Sequence, residues 1–183
     1  MALDDSGAGG GAVGDSSEDA LQDSVVVRGG RIDLPRGLPK HRKPLEDDVR
    51  VSAKTIFGLS RRLAREQTAF KATGGLHACA LFDAEGTLLA LREDVGRHNA
   101  LDKLAGRALL EKRLPLTGHI VLLSGRSSFE MMQKAHAAGI AIVVAIGAPS
   151  SLAVEFARDA GQTLCGFVRG RSMNIYAGAE RIA

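Results

Sequence analysis

The sequence predicts an α/β fold in which a mostly parallel sheet, extended by an antiparallel hairpin, is covered by helices on both faces. Three observations predict it. From residue 119 onward, continuous apolar runs at 119–123, 140–146 and 164–168 alternate with segments of helical spacing. Ahead of them, two apolar segments flank Asp83-Ala84-Glu85-Gly86, a four-residue turn whose glycine suits a hairpin. At each joint between strand and helix, glycine, serine and arginine gather.

In chain order, residues 1–23 are rich in Gly, Ser, Ala and Asp and are expected to form a disordered acidic tail. Residues 24–49 read as a basic, proline-containing arm with a short strand at 25–27. The body, 50–183, is expected to be one α/β domain that binds a cofactor. Ser52 is placed to cap a helix carrying Ile56, Leu59 and Leu63 on one side, running on through Phe70 until Gly74-Gly75. Strands at 76–82 and 87–91 form the hairpin. A helix over 97–111 carries Leu101, Leu104 and Ala108 on one face. Helices at 127–138 and 150–160 end at Gly139 and Gly161, and the strand at 164–168 closes the series.

Composition narrows the classes of function. A chain of 183 residues suits one globular unit. No apolar run approaches the roughly eighteen residues that span a bilayer, and the acidic start lacks a secretory n-region, so a cytoplasmic protein away from membranes is expected. The net charge of +3 hides an asymmetry: residues 1–23 hold six acidic groups and no lysine or arginine, leaving 24 basic and 15 acidic groups beyond them. That excess suits nucleic acid, an anionic cofactor or an acidic partner, and charge alone does not choose among them. One tyrosine, six phenylalanines and no tryptophan argue against a platform for stacking nucleic-acid bases. Cys79 and Cys165 both lie in apolar runs and read as small buried hydrophobes.

The polar residues concentrate where ligands dock on α/β sheets. Loops that follow successive parallel strands share one edge, so 124–128, 147–151 and 169–172 are expected to be neighbours. The first holds Ser124, Arg126, Ser127 and Ser128, with Ser127 and Glu130 spaced as a capping box. The second brings Ser150 and Ser151 to a helix start, and the third sets Arg169 and Arg171 around Gly170. Free amides at helix N-termini and arginine forks both match phosphate oxygens. Ordinary capping with solvated arginines is the competing reading. The joint Glu93-Asp94-Val95-Gly96-Arg97-His98 divides the same way, between a solvated helix cap and a ligand site containing Arg97 and His98. His77, on an apolar strand, is either a satisfied core histidine or a pocket residue.

Thr73-Gly74-Gly75-Leu76-His77-Ala78, then Glu93-Asp94-Val95-Gly96-Arg97-His98-Asn99-Ala100-Leu101-Asp102-Lys103, then Ser124-Gly125-Arg126-Ser127-Ser128-Phe129-Glu130 and Ala148-Pro149-Ser150-Ser151-Leu152-Ala153-Val154-Glu155 together resemble the FdhD/NarQ family of formate dehydrogenase accessory sulfurtransferases. The resemblance covers 44–182 and implies a cytidine-deaminase-like three-layer fold and a homodimer. It implies a sulfur carrier that takes sulfur from a cysteine desulfurase as a persulfide and passes it to a molybdenum bis-guanine-dinucleotide cofactor. That cofactor, bound as cargo, then enters formate dehydrogenase; GDP is its mimic. The family's cofactor-binding stretch falls on Phe167, Val168, Arg169, Gly170, Arg171 and Ser172. Its Cys-x-x-Cys loop falls on 28–43, which contains no cysteine, so no catalytic residue is assigned. A non-catalytic cofactor-binding paralogue or a fragment is therefore an alternative reading, and so is an interaction module docking through its basic arm. A deaminase-like hydrolase would need a His-x-Glu pair and a later Pro-Cys-x-x-Cys around zinc. The joints here offer His98-Asn99-Ala100 and Ser127-Ser128 instead, and no metal ligand is assigned.

Overall fold

The computed structural model describes residues 43–183 and the backbone of two short strands, Val26–Arg28 (β1) and Arg31–Asp33 (β2). These two pair antiparallel in a unit separate from the body, so the strand expected at 25–27 gains a partner that composition did not announce. The acidic tail lies outside the described residues.

Helix α1, Ala53–Glu66, begins where Ser52 accepts the Thr55 N–H at 3.0 Å and buries Ile56, Leu59 and Leu63. It does not run through to Phe70. Gln67 leaves the helix with ψ of 85°, and Thr68–Thr73 (α2) starts afresh, because the Glu93 carboxylate accepts the Ala69 and Phe70 N–H groups at 3.1 and 2.9 Å. An acceptor from a neighbouring strand thus satisfies amides that a continuous helix would have used itself.

His77–Phe82 (β3) and Leu88–Asp94 (β4) form the predicted hairpin, closed by Gly86 at φ 81° and by Asp83, whose carboxylate accepts the Thr87 N–H. Strand β4 extends three residues further than the apolar pattern, with His77 opposite Asp94, so the charged joint shrinks to Val95-Gly96 before helix α3, Arg97–Leu110. There follow β5 (Ile120–Leu123), α4 (Phe129–Ala137), β6 (Ile142–Ala145), α5 (Ser151–Asp159), β7 (Thr163–Arg169) and β8 (Ser172–Ala177). The order across the sheet is β4-β3-β5-β6-β7-β8. The middle, β5-β6-β7, is parallel, and an antiparallel hairpin flanks it on each side.

Alternate residues of the strands face opposite layers. Ala78, Ala80, Phe82, Ile120, Leu122, Ile142, Val144 and Cys165 pack against α1, while α3, α4 and α5 cover the other face. Residues 43–49, assigned by composition to the arm, are part of this body: Leu45 N–H donates to Ala160 O at 3.0 Å, and Asp47 accepts the Gly118 N–H at 2.8 Å.

Candidate functional site

Two strand-to-helix loops at the carboxyl edge of the parallel strands are laced together. Gly147 N–H donates to Gly125 O at 3.0 Å, Ser127 N–H to Ala148 O at 3.2 Å, and Ser150 N–H to Ser127 O at 3.0 Å. The approach is close enough to require glycine, since a Cβ on Gly147 would lie 2.9 Å from Gly125 O and 3.0 Å from Arg126 N. The lacing reaches β7 as well, where Phe167 N–H donates to Gly147 O at 3.2 Å. Two helix N-termini, of α4 and α5, therefore open side by side.

Their caps differ from one another. Ser150 caps α5 by accepting the Ala153 N–H, and Ser151 is an exposed first residue. At α4 the cap position is Ser128, which makes no side-chain bond to the helix amides, so the expected capping box from Ser127 is not formed. Ser127 is 1% exposed, and its Oγ has no hydrogen-bond partner among the described residues. A buried hydroxyl left in that state is costly, and it lies beside two open helix starts. Arg126 points outward, exposed. Ser124 is structural: its Oγ accepts the Ala78 N–H at 2.8 Å and its own N–H donates to Ala78 O, tying β5 to β3.

His77 joins this edge, because a Cβ on Gly125 would come within 3.2 Å of its Nδ1; it is half-buried beside a loop and outside the sealed core. Next to it, Arg97 opens α3 with a buried Nε that has no partner among the described residues. His98 is held below the usual histidine range first by burial, then by Arg97 and Lys134, against the opposing pull of Glu130 and Asp102. Glu130 is kept below the usual carboxylate range by the Ser128 hydroxyl and by its own N–H, with His98 and Arg97 adding to the effect. The edge thus presents the guanidinium groups of Arg97 and Arg126, the Glu130 carboxylate, a histidine and unused donors.

The third predicted loop is not a loop beside the other two. Phe167 takes φ of 53°, the ladder slips between Gly166 and Arg169, and the strand continues as a hairpin into β8. Val168 is 1% exposed and packs in the core under α1, so its side chain cannot line a ligand. Phe167 remains at the edge, half-exposed. Gly170 and Arg171 are carried away to α1, where they line a cavity of about 790 Å³ with Lys54, Gly58, Arg61 and Arg62; Arg169 and Ser172 are exposed beside them. The six residues of the expected stretch are therefore divided between the edge, the core and a second, basic groove. The groove's α1 wall was missed in the sequence, although Arg61-Arg62 carries the same basic signal as Arg169 and Arg171.

Both cysteines are buried, Cys79 facing α3 and Cys165 facing α1. Burial pushes each thiol up to about 12, with Asp102 adding to the effect at Cys79. Among the described residues, no three of His, Cys, Asp and Glu gather as metal ligands, and no helix is long and apolar enough to cross a membrane.

Fold and site together define an α/β domain with paired helix starts and cations at the carboxyl edge of a central parallel sheet. The chain belongs to the FdhD/NarQ family, whose model matches residues 21–183. It is 55% identical over 144 residues to the sulfur carrier protein FdhD of Streptomyces coelicolor, covering 78% of this chain and 51% of that one. To the protein of the same name from Saccharolobus solfataricus it is 49% identical over 138 residues, covering 75% and 54%. The chain spans about half the length of these curated relatives. A solved structure from Desulfotalea psychrophila, described as a formate dehydrogenase accessory protein, superposes with a TM-score of 0.70 at 32% identity, covering 77% of this chain and 59% of that one.

Proposed function

We propose that this chain is a formate dehydrogenase accessory protein that binds the molybdenum bis-guanine-dinucleotide cofactor as cargo while that cofactor is sulfurated. The relatives named sulfur carrier and the solved accessory protein support the class of function. The lacing of 124–128 to 147–150 supports the binding role, because it holds two helix N-termini side by side with Ser127, whose buried hydroxyl has no partner among the described residues. Pyrophosphate oxygens satisfy such groups, Arg126 supplies exposed countercharge at the edge, and Arg169 and Arg171, on the hairpin that leaves it, supply exposed countercharge for the rest of an extended dinucleotide. Cysteine desulfurase is the proposed source of sulfur, formate dehydrogenase the recipient of the cargo, and a cytoplasmic homodimer the working form.

The sulfur itself is not carried on Cys79 or Cys165. A persulfide forms on a thiolate that can be reached, and both thiols are buried and held protonated. What the edge residues contribute is a grip on the cargo: amides and hydroxyls orient phosphates, and Arg97 stands as a cation near Glu130. Calorimetric titration with GDP tests the proposal. Wild-type protein is expected to bind, and replacing both Arg169 and Arg171 by alanine is expected to weaken binding about tenfold or more, the scale of losing charged contacts to phosphate. Absence of binding, or binding indifferent to both arginines, contradicts it.

A further inference from the structure

Residues 68–75 are loosely anchored to the body. Every one of them is exposed, while Gln67 before them is buried and Leu76 after them is half-buried. Helix α2 buries no side chain and has no side-chain cap, and even Phe70 is 41% exposed, so its ring is no anchor. A helix of six residues is too short to hold itself together in water. Most of its bonds stay local: Lys71 N–H to Gln67 O, Gly74 N–H to Phe70 O, the Lys71 ammonium to Arg65 O and the Thr73 hydroxyl to Ala69 O. Glu93 of β4 ties it to the sheet, one carboxylate oxygen accepting the Ala69 N–H and the other the Phe70 N–H. Hydrogen bonds to an ionised acceptor are the stronger kind, and here two of them converge on one side chain. The segment also stands at the carboxyl edge. His77 pairs with Asp94 and Cys79 with Leu123, so β3 starts and β4 ends where β5 ends. Gly74-Gly75 leads straight into His77, which lies against Gly125 of the first laced loop. Gly74 sits at φ 69°, a turn that glycine makes without strain, and a Cβ on Gly75 would meet only Thr73 O, at 3.9 Å.

We propose that residues 68–75 form a gate at this edge, hinged at Gln67 and at Gly74-Gly75 and held shut by the Glu93 carboxylate, and that its opening sets how fast a nucleotide reaches and leaves the laced loops. The proposal rests on the cargo-binding reading and adds to it Glu93 and α2, which have no part in the grip itself. A segment with exposed side chains and few ties opens locally at low free energy, well before the domain unfolds. A lid scales arrival and departure alike, because both wait for the open form. Glu93 is therefore a positioning residue whose loss changes rates while leaving affinity in place.

The test compares the full chain with Glu93→Ala, Glu93→Gln and Gly75→Ala by amide hydrogen exchange and by stopped-flow association and dissociation of a fluorescent GDP. In Glu93→Ala, exchange at Ala69 and Phe70 is expected to rise about tenfold or more while the β5 amides keep their protection, which separates an open gate from a damaged fold. Both GDP rates are expected to rise by about the same factor, with their ratio within about twofold of wild type. Glu93→Gln, which keeps an acceptor oxygen, is expected to fall between the two. Gly75→Ala fits the latched form and restricts the open one, so exchange and both rates are expected to drop about twofold to fivefold. If Glu93→Ala leaves exchange at Ala69 and Phe70 unchanged, or raises it without moving the GDP rates, the gate is overturned and the cargo reading stands. If wild type binds no GDP, both are overturned.

Discussion

Replacing Ser127 by alanine separates what the fold needs from what a ligand needs. The Ser127 backbone holds the two edge loops together through its N–H to Ala148 O and its carbonyl to Ser150 N–H, and alanine keeps both bonds. Its hydroxyl is another matter, being 1% exposed and without a partner among the described residues. An unsatisfied buried polar group costs about 1–3 kcal/mol. Removing it leaves a void of one oxygen atom, so ligand-free Ser127→Ala is expected to be more stable than wild type by about 1 kcal/mol. For a domain of this size that is a rise of about 2–4 °C in melting temperature. With GDP the order inverts, because a hydroxyl bonded to a charged phosphate contributes about 1.5–3 kcal/mol, or roughly tenfold to a hundredfold in affinity. Thermal melts with and without saturating GDP read both effects in one pair of proteins. A ligand-free variant that melts several degrees below wild type would show that the hydroxyl already has a structural partner, and the reasoning would fail.

Further expectations concern the loops, the thiols and the acid limb. Gly147→Ala drives a methyl group into Gly125 O and Arg126 N, both backbone atoms, so it is expected to cost about 1–3 kcal/mol in urea titrations and to weaken GDP binding together with stability. With thiols near 12, about one in ten thousand is ionised at pH 8, so intact-mass analysis after native iodoacetamide treatment is expected to show no adduct, and two adducts after denaturation. Rapid native labelling of either cysteine would contradict their assignment as core residues. The Asp94 carboxyl is brought down to about 2 by Lys103, by the Gly96 N–H and by Asn99. Its folded pKa lies below the unfolded one, so its contribution is present above the ordinary carboxylate value and is lost as pH falls through the range from about 4 to about 2. Urea midpoints of wild type and Asp94→Asn are therefore expected to differ at pH 6 and to converge near pH 2, and a constant difference would refute this.

The apolar runs of β3, β5, β6 and β7 and the capped starts at Ser52 and Ser150 were legible because each is a local preference that the fold kept. The departures have non-local causes. Gln67 interrupts a helix that periodicity would continue, since a carboxylate 26 residues later takes over its amides. Strand β8 carries exposed residues on an outer edge, so no apolar run announces it. The displacement of Gly170 and Arg171 to α1 turns on a positive φ at Phe167, a residue type that gives no warning of it. Clustering of serine, glycine and arginine at strand ends identified the edge, but composition could not distinguish a loop that stays there from a hairpin that bends away. The same limit hid the role of α1, whose basic face becomes a wall only once that hairpin is folded against it.

The central claim is that amides at the starts of α4 and α5, with nearby arginines, grip the diphosphate of a guanine nucleotide. Amide-resolved NMR of the labelled protein titrated with GDP tests this most directly. The account predicts saturable shifts confined to 125–128, 147–151 and 167–171. Shifts that avoid all of these segments, or a spectrum that GDP leaves unchanged, would contradict it.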